Sequence, residues 1–144
     1  FDARGWEVHG VDNNMRREFF GPPGDTLWNL GRLQRVTRHF THAPLDIRDR
    51  EAIMALFQRN HFDFIVHCAA QPSHDKAKDI PFVDFEVNAV GTLNILEALR
   101  QHAPRAAMVF MSTNTFSCAT SSCTATFASA PLGFFESRLT IWIR

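Results

Sequence analysis

Apolar and polar positions change period several times along the chain. Trp6-Glu7-Val8-His9-Gly10-Val11 alternates and runs into Asp12-Asn13-Asn14, which predicts a strand ending in a polar tip. A helix end closed by Gly5 precedes it. Residues 13–31 read as loop, with Gly21-Pro22-Pro23-Gly24 as a turn signal and a short helical piece from Leu27 to Leu33. A second extended segment, His39 to Leu45, ends at Asp46-Ile47. Asp49 then has the position of an N-cap, because Ile53, Leu56 and Phe57 follow at helical spacing. Phe64-Ile65-Val66-His67 is a β-branched and aromatic run that closes in the small residues Cys68, Ala69 and Ala70 and a polar loop, Gln71 to His74. A long helix opens at Pro81, with Phe85, Asn88, Ala89, Thr92, Leu93, Leu96 and Leu99 along one face, and stops before Pro104. Ala107 to Met111 is the last clear strand, tipped by Ser112-Thr113-Asn114.

Strand and helix therefore alternate, which predicts an α/β fold: a doubly wound parallel sheet with right-handed crossovers and helices on both faces. Ligands in such sheets bind beyond the carboxyl ends of the strands. Those ends here are Asp12, Asp46, Cys68 to Gln71, and Ser112 to Asn114. After Asn114 the composition shifts to Ser, Thr, Ala and Cys without a helical stripe, and Phe134 to Arg144 is a further apolar stretch, helical or strand-like. The expected organisation is a nucleotide-binding unit over residues 1–114 and a tail, 115–144, of marginal structure.

The strand tips carry fitting chemistry. A carboxylate at Asp12 suits a ribose, since it accepts from vicinal hydroxyls and repels a 2′-phosphate, favouring NAD over NADP. Arg16 nearby is able to receive that phosphate, and a lone Asp in a turn is also a common solvated acid. Asn13 and Asn14 extend the same tip. Asp46 suits an adenine amino group, with the backbone at Ile47 reading the ring edge, or else is a turn acid. Cys68, Ala69 and Ala70 let a flat ligand lie against the backbone. Asn88, an amide within an apolar helix, reads equally as a brace for the Ala69–Ala70 loop or as a cofactor contact. Gly91 permits close helix packing. Ser112 and Thr113 offer hydroxyls beside a nicotinamide, or cap their own strand end. Gln71, Ser73 and His74 lie on the substrate side of the loop or are ordinary surface residues, and His67 reads as packed in the sheet.

Composition narrows the classes. With 15 basic against 15 acidic residues among 144, the chain has no basic excess, which excludes a nucleic-acid partner. No apolar run reaches spanning length and no signal peptide is legible, so the expected location is the cytoplasm, without membrane. Three cysteines, Cys68, Cys118 and Cys123, lack metal-ligand spacing and read as reduced thiols, so no metal is expected.

Five motifs carry a resemblance: Val11-Asp12-Asn13-Asn14-Met15-Arg16, Leu45-Asp46-Ile47-Arg48-Asp49, His67 to Asp75, Val87-Asn88-Ala89-Val90-Gly91-Thr92, and Met111-Ser112-Thr113-Asn114. In order and spacing they resemble the extended short-chain dehydrogenase/reductase superfamily, and within it the NAD-dependent sugar-nucleotide epimerases. The resemblance covers residues 1–114. It implies a Rossmann-like fold and bound NAD, with homo-oligomers as a possibility for a complete protein. The substrate it implies is a CDP-sugar inverted at C2 through a keto intermediate, an assignment resting on Asp12 to Arg16, Phe19-Phe20-Gly21-Pro22 and Gln71 to Asp75. Site residues are implied likewise. Asp12, Asn13, Asn14, Arg16, Asp46, Ile47, Cys68, Ala69, Ala70, Gln71, Asn88 and Ser112 contact cofactor, Ser73 and His74 contact substrate, and Thr113 orients the reacting hydroxyl. Related dehydratases carry an acid pair after that threonine, where this chain has Asn114 and Thr115.

The chain also departs from the family. The glycine-rich turn after the first strand would lie roughly 20 residues before Asp12, ahead of Phe1, so the sheet is expected to lack its first strand and to expose a central edge that the tail does not cover. The family's catalytic Tyr-x-x-x-Lys has no counterpart in a chain with no tyrosine. Thr115-Phe116-Ser117-Cys118 replaces the family's Val-Tyr-Gly region, the pattern of a shifted reading frame or a degenerate gene. The expectation is an inactive piece of an epimerase; the alternatives are a non-catalytic nucleotide-binding or interaction module and an inert gene remnant.

Overall fold

The computed structural model describes residues 1–71, 73–111 and 140–143. In chain order the elements are β1 (Val8–Val11), α1 (Met15–Phe20), α2 (Leu27–Val36), β2 (Phe40–Ala43), α3 (Arg50–Arg59), β3 (Phe64–His67), α4 (His74–Asp79), α5 (Pro81–Phe85), a π-helical turn (Glu86–Val90), α6 (Gly91–His102), β4 (Ala107–Phe110) and β5 (Thr140–Ile143). The strands form one sheet in the order β2-β1-β5-β3-β4. β1 with β2 and β3 with β4 pair in parallel, while β5 runs antiparallel to both β1 and β3. The fold is the α/β, Rossmann-like class that the alternation of strand and helix implied.

The core lies under the sheet against α3 and α6, where Val11, Ile53, Phe57, Phe62, Ile65, Ile95 and Ala98 are all buried. Asp49 caps α3 as expected, its side chain accepting from the Ala52 amide. Gly5 closes the short 3₁₀ turn Asp2–Arg4 at φ 81°, a conformation a side chain would strain.

Several expectations are corrected. Part of the predicted 13–31 loop is helix: α1 starts at Met15, after an N-cap residue, Asn14, that adopts a left-handed φ of 59°. The polar loop after Gln71 becomes α4, because the Ser73 side chain accepts from the Lys76 amide and supplies the cap. The long helix buries a different face from the one read in the sequence. Phe85, Leu93 and Leu96 are exposed, and Val87, Gly91, Asn94, Ile95 and Ala98 face the core. Apolar residues ring this helix, so period alone left two stripes to choose between. Glycine decides it: a Cβ on Gly91 would lie 2.5 Å from Ile47 Cδ1, so only the face with the smallest residue packs this closely. Finally, the central position of the sheet is not open. β5 fills the place between β1 and β3 that a parallel first strand would take in this class.

Candidate functional site

At the carboxyl ends of β1, β2 and β3 a cleft is bounded by Asp12, Asn13, Met15 and Arg16 from the first tip, Leu45, Asp46 and Ile47 from the second, and Ala69 and Ala70 from the third. It is the place where sheet topology puts a ligand. A larger recess, of about 200 Å³ against about 70 Å³, lies between α2 and β2, but it meets no residue of the β3 tip.

Asp12 is fixed at one oxygen and open at the other. Its Oδ1 accepts from the Asn14 amide at 2.5 Å and from the Thr26 hydroxyl at 3.2 Å. Oδ2 has no partner among the described residues, so the carboxylate arrives oriented with an acceptor to spare. Asn14, by contrast, is spent: Nδ2 donates to Asp25, and Oδ1 accepts from the Thr26 amide and shares the one Thr26 hydroxyl proton with Asp12. It shapes the tip rather than facing the cleft. Asn13 accepts from the Met15 amide and donates to Asp46 at 3.0 Å, tying the first tip to the second. Arg16 lines the cleft with its guanidinium 5.0 Å above the Phe20 ring.

The second tip is built around an ion pair. Asp46 accepts from Arg48 Nη2 at 2.7 Å, from Nε, and from the Arg48 amide, and receives Asn13 as well. Burial works to raise its pKa, but the hydrogen bonds and charge of Arg48, with Asn13, hold the carboxyl below its usual value. Both oxygens are thus engaged with protein, which leaves the adjoining backbone as the better reader of a base edge. The Ile47 amide N–H has no partner among the described residues, while its carbonyl accepts from Asn94 Nδ2 at 3.0 Å. Asn94 also donates to the Arg48 carbonyl, so one buried amide on α6 sets the shape of the whole turn.

The third tip is braced from behind. Asn88 Oδ1 accepts from the Gln71 amide at 2.9 Å, and its Nδ2 donates to Asp84 and to the Gln71 carbonyl. Gln71 is buried and turned inward, donating to Asp84 and to the Ser73 carbonyl while accepting from the Ser73 amide. Of the two readings of Asn88, this geometry is the brace. The Ser73 hydroxyl caps α4. Of His74 only the backbone is described, as the first residue of α4. Cys68 is half-buried beside His67. His67 is buried, and its Nε2 lies 3.0 Å from the Thr92 hydroxyl, which itself donates to the Asn88 carbonyl at 2.7 Å. Because that hydroxyl proton is used, His67 donates through Nε2–H and is neutral; burial pushes its pKa down to about 4. Ser112 and Thr113 lie outside the described residues.

Four contributors were not singled out in the sequence. Thr26 gave no signal, being one threonine in a loop. Arg48 was quoted only within a motif, and Thr92 only as part of an apolar face. Asn94 carried the same signal as Asn88, an amide in an apolar helix, and that signal would have found it.

Three strand tips form a cleft in an α/β protein, one with an oriented carboxylate and one lined by alanines. Residues 1–132 match the model of the NAD dependent epimerase/dehydratase family, and the chain belongs to that family. CDP-paratose 2-epimerase of Salmonella typhi is 37% identical over 114 residues, 78% of this chain and 31% of that protein. Pal from Bacillus thuringiensis superimposes with a TM-score of 0.63 at 28% identity, covering 77% of this chain and 32% of that one. UDP-glucose-4-epimerase from Stenotrophomonas maltophila, solved with bound NAD and formylated UDP-arabinopyranose, gives 0.56 at 25% identity over 83% of this chain and 39% of that one. The chain thus spans about a third of these proteins' length. Among the described residues no helix is long and apolar enough to cross a membrane, and no cluster of His, Cys, Asp or Glu has the arrangement of a metal site.

Proposed function

We propose that this chain is the nucleotide-binding part of an NAD-dependent sugar-nucleotide epimerase, cytoplasmic, and that the substrate of the complete activity is a CDP-sugar inverted at C2. The observation that carries the reading is Asp12: a carboxylate lining the cleft, held through Oδ1 by Asn14 and Thr26, with Oδ2 unpartnered among the described residues. It fits the two ribose hydroxyls of an adenosine half. The Ile47 amide, without a partner among the described residues, fits the base edge, and Ala69 and Ala70 leave room for a flat ring against the third tip. NAD, when bound, supplies hydride acceptance and return. Every other duty falls to the chain. Asn88 and Gln71 hold the loop that floors the cleft, Asn13 and Arg48 hold Asp46 away from the ligand, and Thr113 orients the substrate hydroxyl.

Removing the proton of that hydroxyl needs a base, and a chain with no tyrosine lacks the family's own. Threonine cannot replace it, since its hydroxyl is far too weak an acid to ionise near neutrality. The 144-residue chain is therefore expected to bind without turning over. The reading is tested by placing residues 1–114 in the frame of a full-length relative and following CDP-sugar epimerisation. Turnover is expected, with Thr113→Ala slowing it by about tenfold or more, the scale of one positioned proton-transfer partner. Turnover by the unmodified chain, or an unchanged rate for Thr113→Ala, would contradict the assignment.

A further inference from the structure

By its place at the second strand tip Asp46 suits the amino group of an adenine, yet its capacity to accept is already taken. Oδ1 accepts from the Arg48 amide at 2.9 Å and from Arg48 Nε at 3.1 Å. Oδ2 accepts from Arg48 Nη2 at 2.7 Å, from the same Nε at 3.1 Å and from Asn13 Nδ2 at 3.0 Å. The Arg48 amide, Nε and Nη2 and the Asn13 amide thus meet a carboxylate that has about four lone-pair sites. Two of these donors come from a guanidinium and are charge-assisted, the stronger kind of hydrogen bond. A base amine arriving here has to displace one of them, and exchanging one donor for another returns little.

Arg48 is itself anchored away from the ligand. Its Nη1 lies 3.4 Å from Glu86 Oε2 on the π turn, and its carbonyl accepts from Asn94 Nδ2. It reaches Asp46 from outside the cleft, whose lining includes Asp46 and Ile47 but not Arg48. The neighbouring backbone is in the opposite condition. Ile47 is buried and lines the cleft, its carbonyl is engaged by Asn94, and its N–H has no partner among the described residues. A buried N–H gains most from an incoming acceptor, because leaving it unpaired carries the full cost of its desolvation. Adenine presents both chemistries side by side: N1 is an acceptor and the adjacent 6-amino group a donor.

We infer that Arg48 is a specificity-determining residue: by saturating Asp46 it withdraws the carboxylate from the base, so that this chain reads adenine at N1 through the Ile47 amide and is indifferent to the 6-amino group. The inference rests on the Asp12 cleft being the adenosine site. It goes beyond that reading in stating which atom of the base is recognised and which residue silences the other.

The test is a calorimetric series on the full 144-residue chain with three nucleotides. These are AMP, purine riboside 5′-monophosphate, which keeps N1 and lacks the amino group, and 1-deaza-AMP, which keeps the amino group and has C–H in place of N1. The purine nucleotide is expected to bind within about threefold of AMP, and 1-deaza-AMP about tenfold more weakly, the scale of a hydrogen bond lost from a buried N–H. In Arg48→Met, which keeps an unbranched apolar stem and removes the guanidinium, a gap of about tenfold between AMP and the purine nucleotide is expected to open, because Asp46 regains lone pairs for the amine. On the unmodified chain, a purine nucleotide weaker than AMP by more than about threefold, or 1-deaza-AMP within about threefold of AMP, would overturn the inference while leaving the adenosine site intact. A gap that stays closed in a folded Arg48→Met would overturn the role given to Arg48. Binding of none of the three would overturn the reading of the cleft itself, and the inference with it. The series on the unmodified chain decides the matter even where the variant fails to fold.

Discussion

Two residues show how differently a polar side chain is used when it faces a cleft and when it faces the core. Asp12 lines the cleft with one oxygen engaged by protein and the other unpartnered among the described residues, so the role proposed for it is measurable as binding. His67 is closed in, neutral, and linked through Thr92 to the Asn88 carbonyl that backs the Gln71 loop. Its pKa of about 4 makes it a pH-dependent load on the fold. Above about pH 6.5 the imidazole is neutral folded or unfolded and contributes no pH dependence. As the pH falls from there toward 4, the unfolded chain takes up a proton that the folded chain refuses, so stability falls. Below 4 both states hold the proton and the loss levels off. Over that window the loss is expected to reach about 3 kcal/mol at most. His67→Gln, which keeps a donor for Thr92 but does not titrate, is expected to flatten the urea-unfolding free energy between pH 6.5 and 4; an unchanged slope would place the histidine elsewhere.

Elements were legible where the pattern was local. The tips at Asp12 and Asp46 follow from alternation that ends in polar residues, and the α3 start follows from Asp49 and the apolar repeat behind it. The harder parts depended on neighbours. α1 has no side-chain hydrogen bond at its cap and lies beside two glycine–proline signals, so local chemistry argued for loop. The π turn shifts the helix register between Phe85 and Gly91, and the buried stripe with it, which no fixed period reveals. Packing then decides the face through Gly91. Gly91→Ala adds a methyl against Ile47, and overpacking of this kind costs about 1–3 kcal/mol, against which alanine's better helix propensity returns up to about 1. A net destabilisation is expected in chemical denaturation. It should shrink in the Ile47→Val background, which removes the Cδ1 atom that the new methyl meets. Equal costs in both backgrounds would show that the two residues do not press on each other.

At the scale of the whole molecule the sheet is two parallel pairs, β2–β1 and β3–β4, joined by one short strand from far along the chain. That strand was the least legible element, because nothing within Thr140–Ile143 indicates a partner about 130 residues away in β1 or marks its direction. Its consequence for stability is direct. Ile141 stands between Gly10 of β1 and Val66 of β3, and a proline there removes its amide from the ladder on one side. Ile141→Pro is expected to lower the melting temperature and to promote self-association through the uncovered edges of β1 and β3, as judged by sedimentation. A variant that stays monomeric with an unchanged melt would mean that the sheet does not depend on β5.

All of this converges on one cleft and one carboxylate. The most direct measurement is calorimetric titration of NAD and NADP into the 144-residue chain and into Asp12→Ala. NAD is expected to bind more tightly than NADP, whose 2′-phosphate meets Asp12, and Asp12→Ala is expected to weaken NAD by about 1–3 kcal/mol, the cost of leaving hydrogen-bonding groups unpaired. NADP binding as tightly as NAD, or an NAD affinity indifferent to Asp12→Ala, would contradict the account.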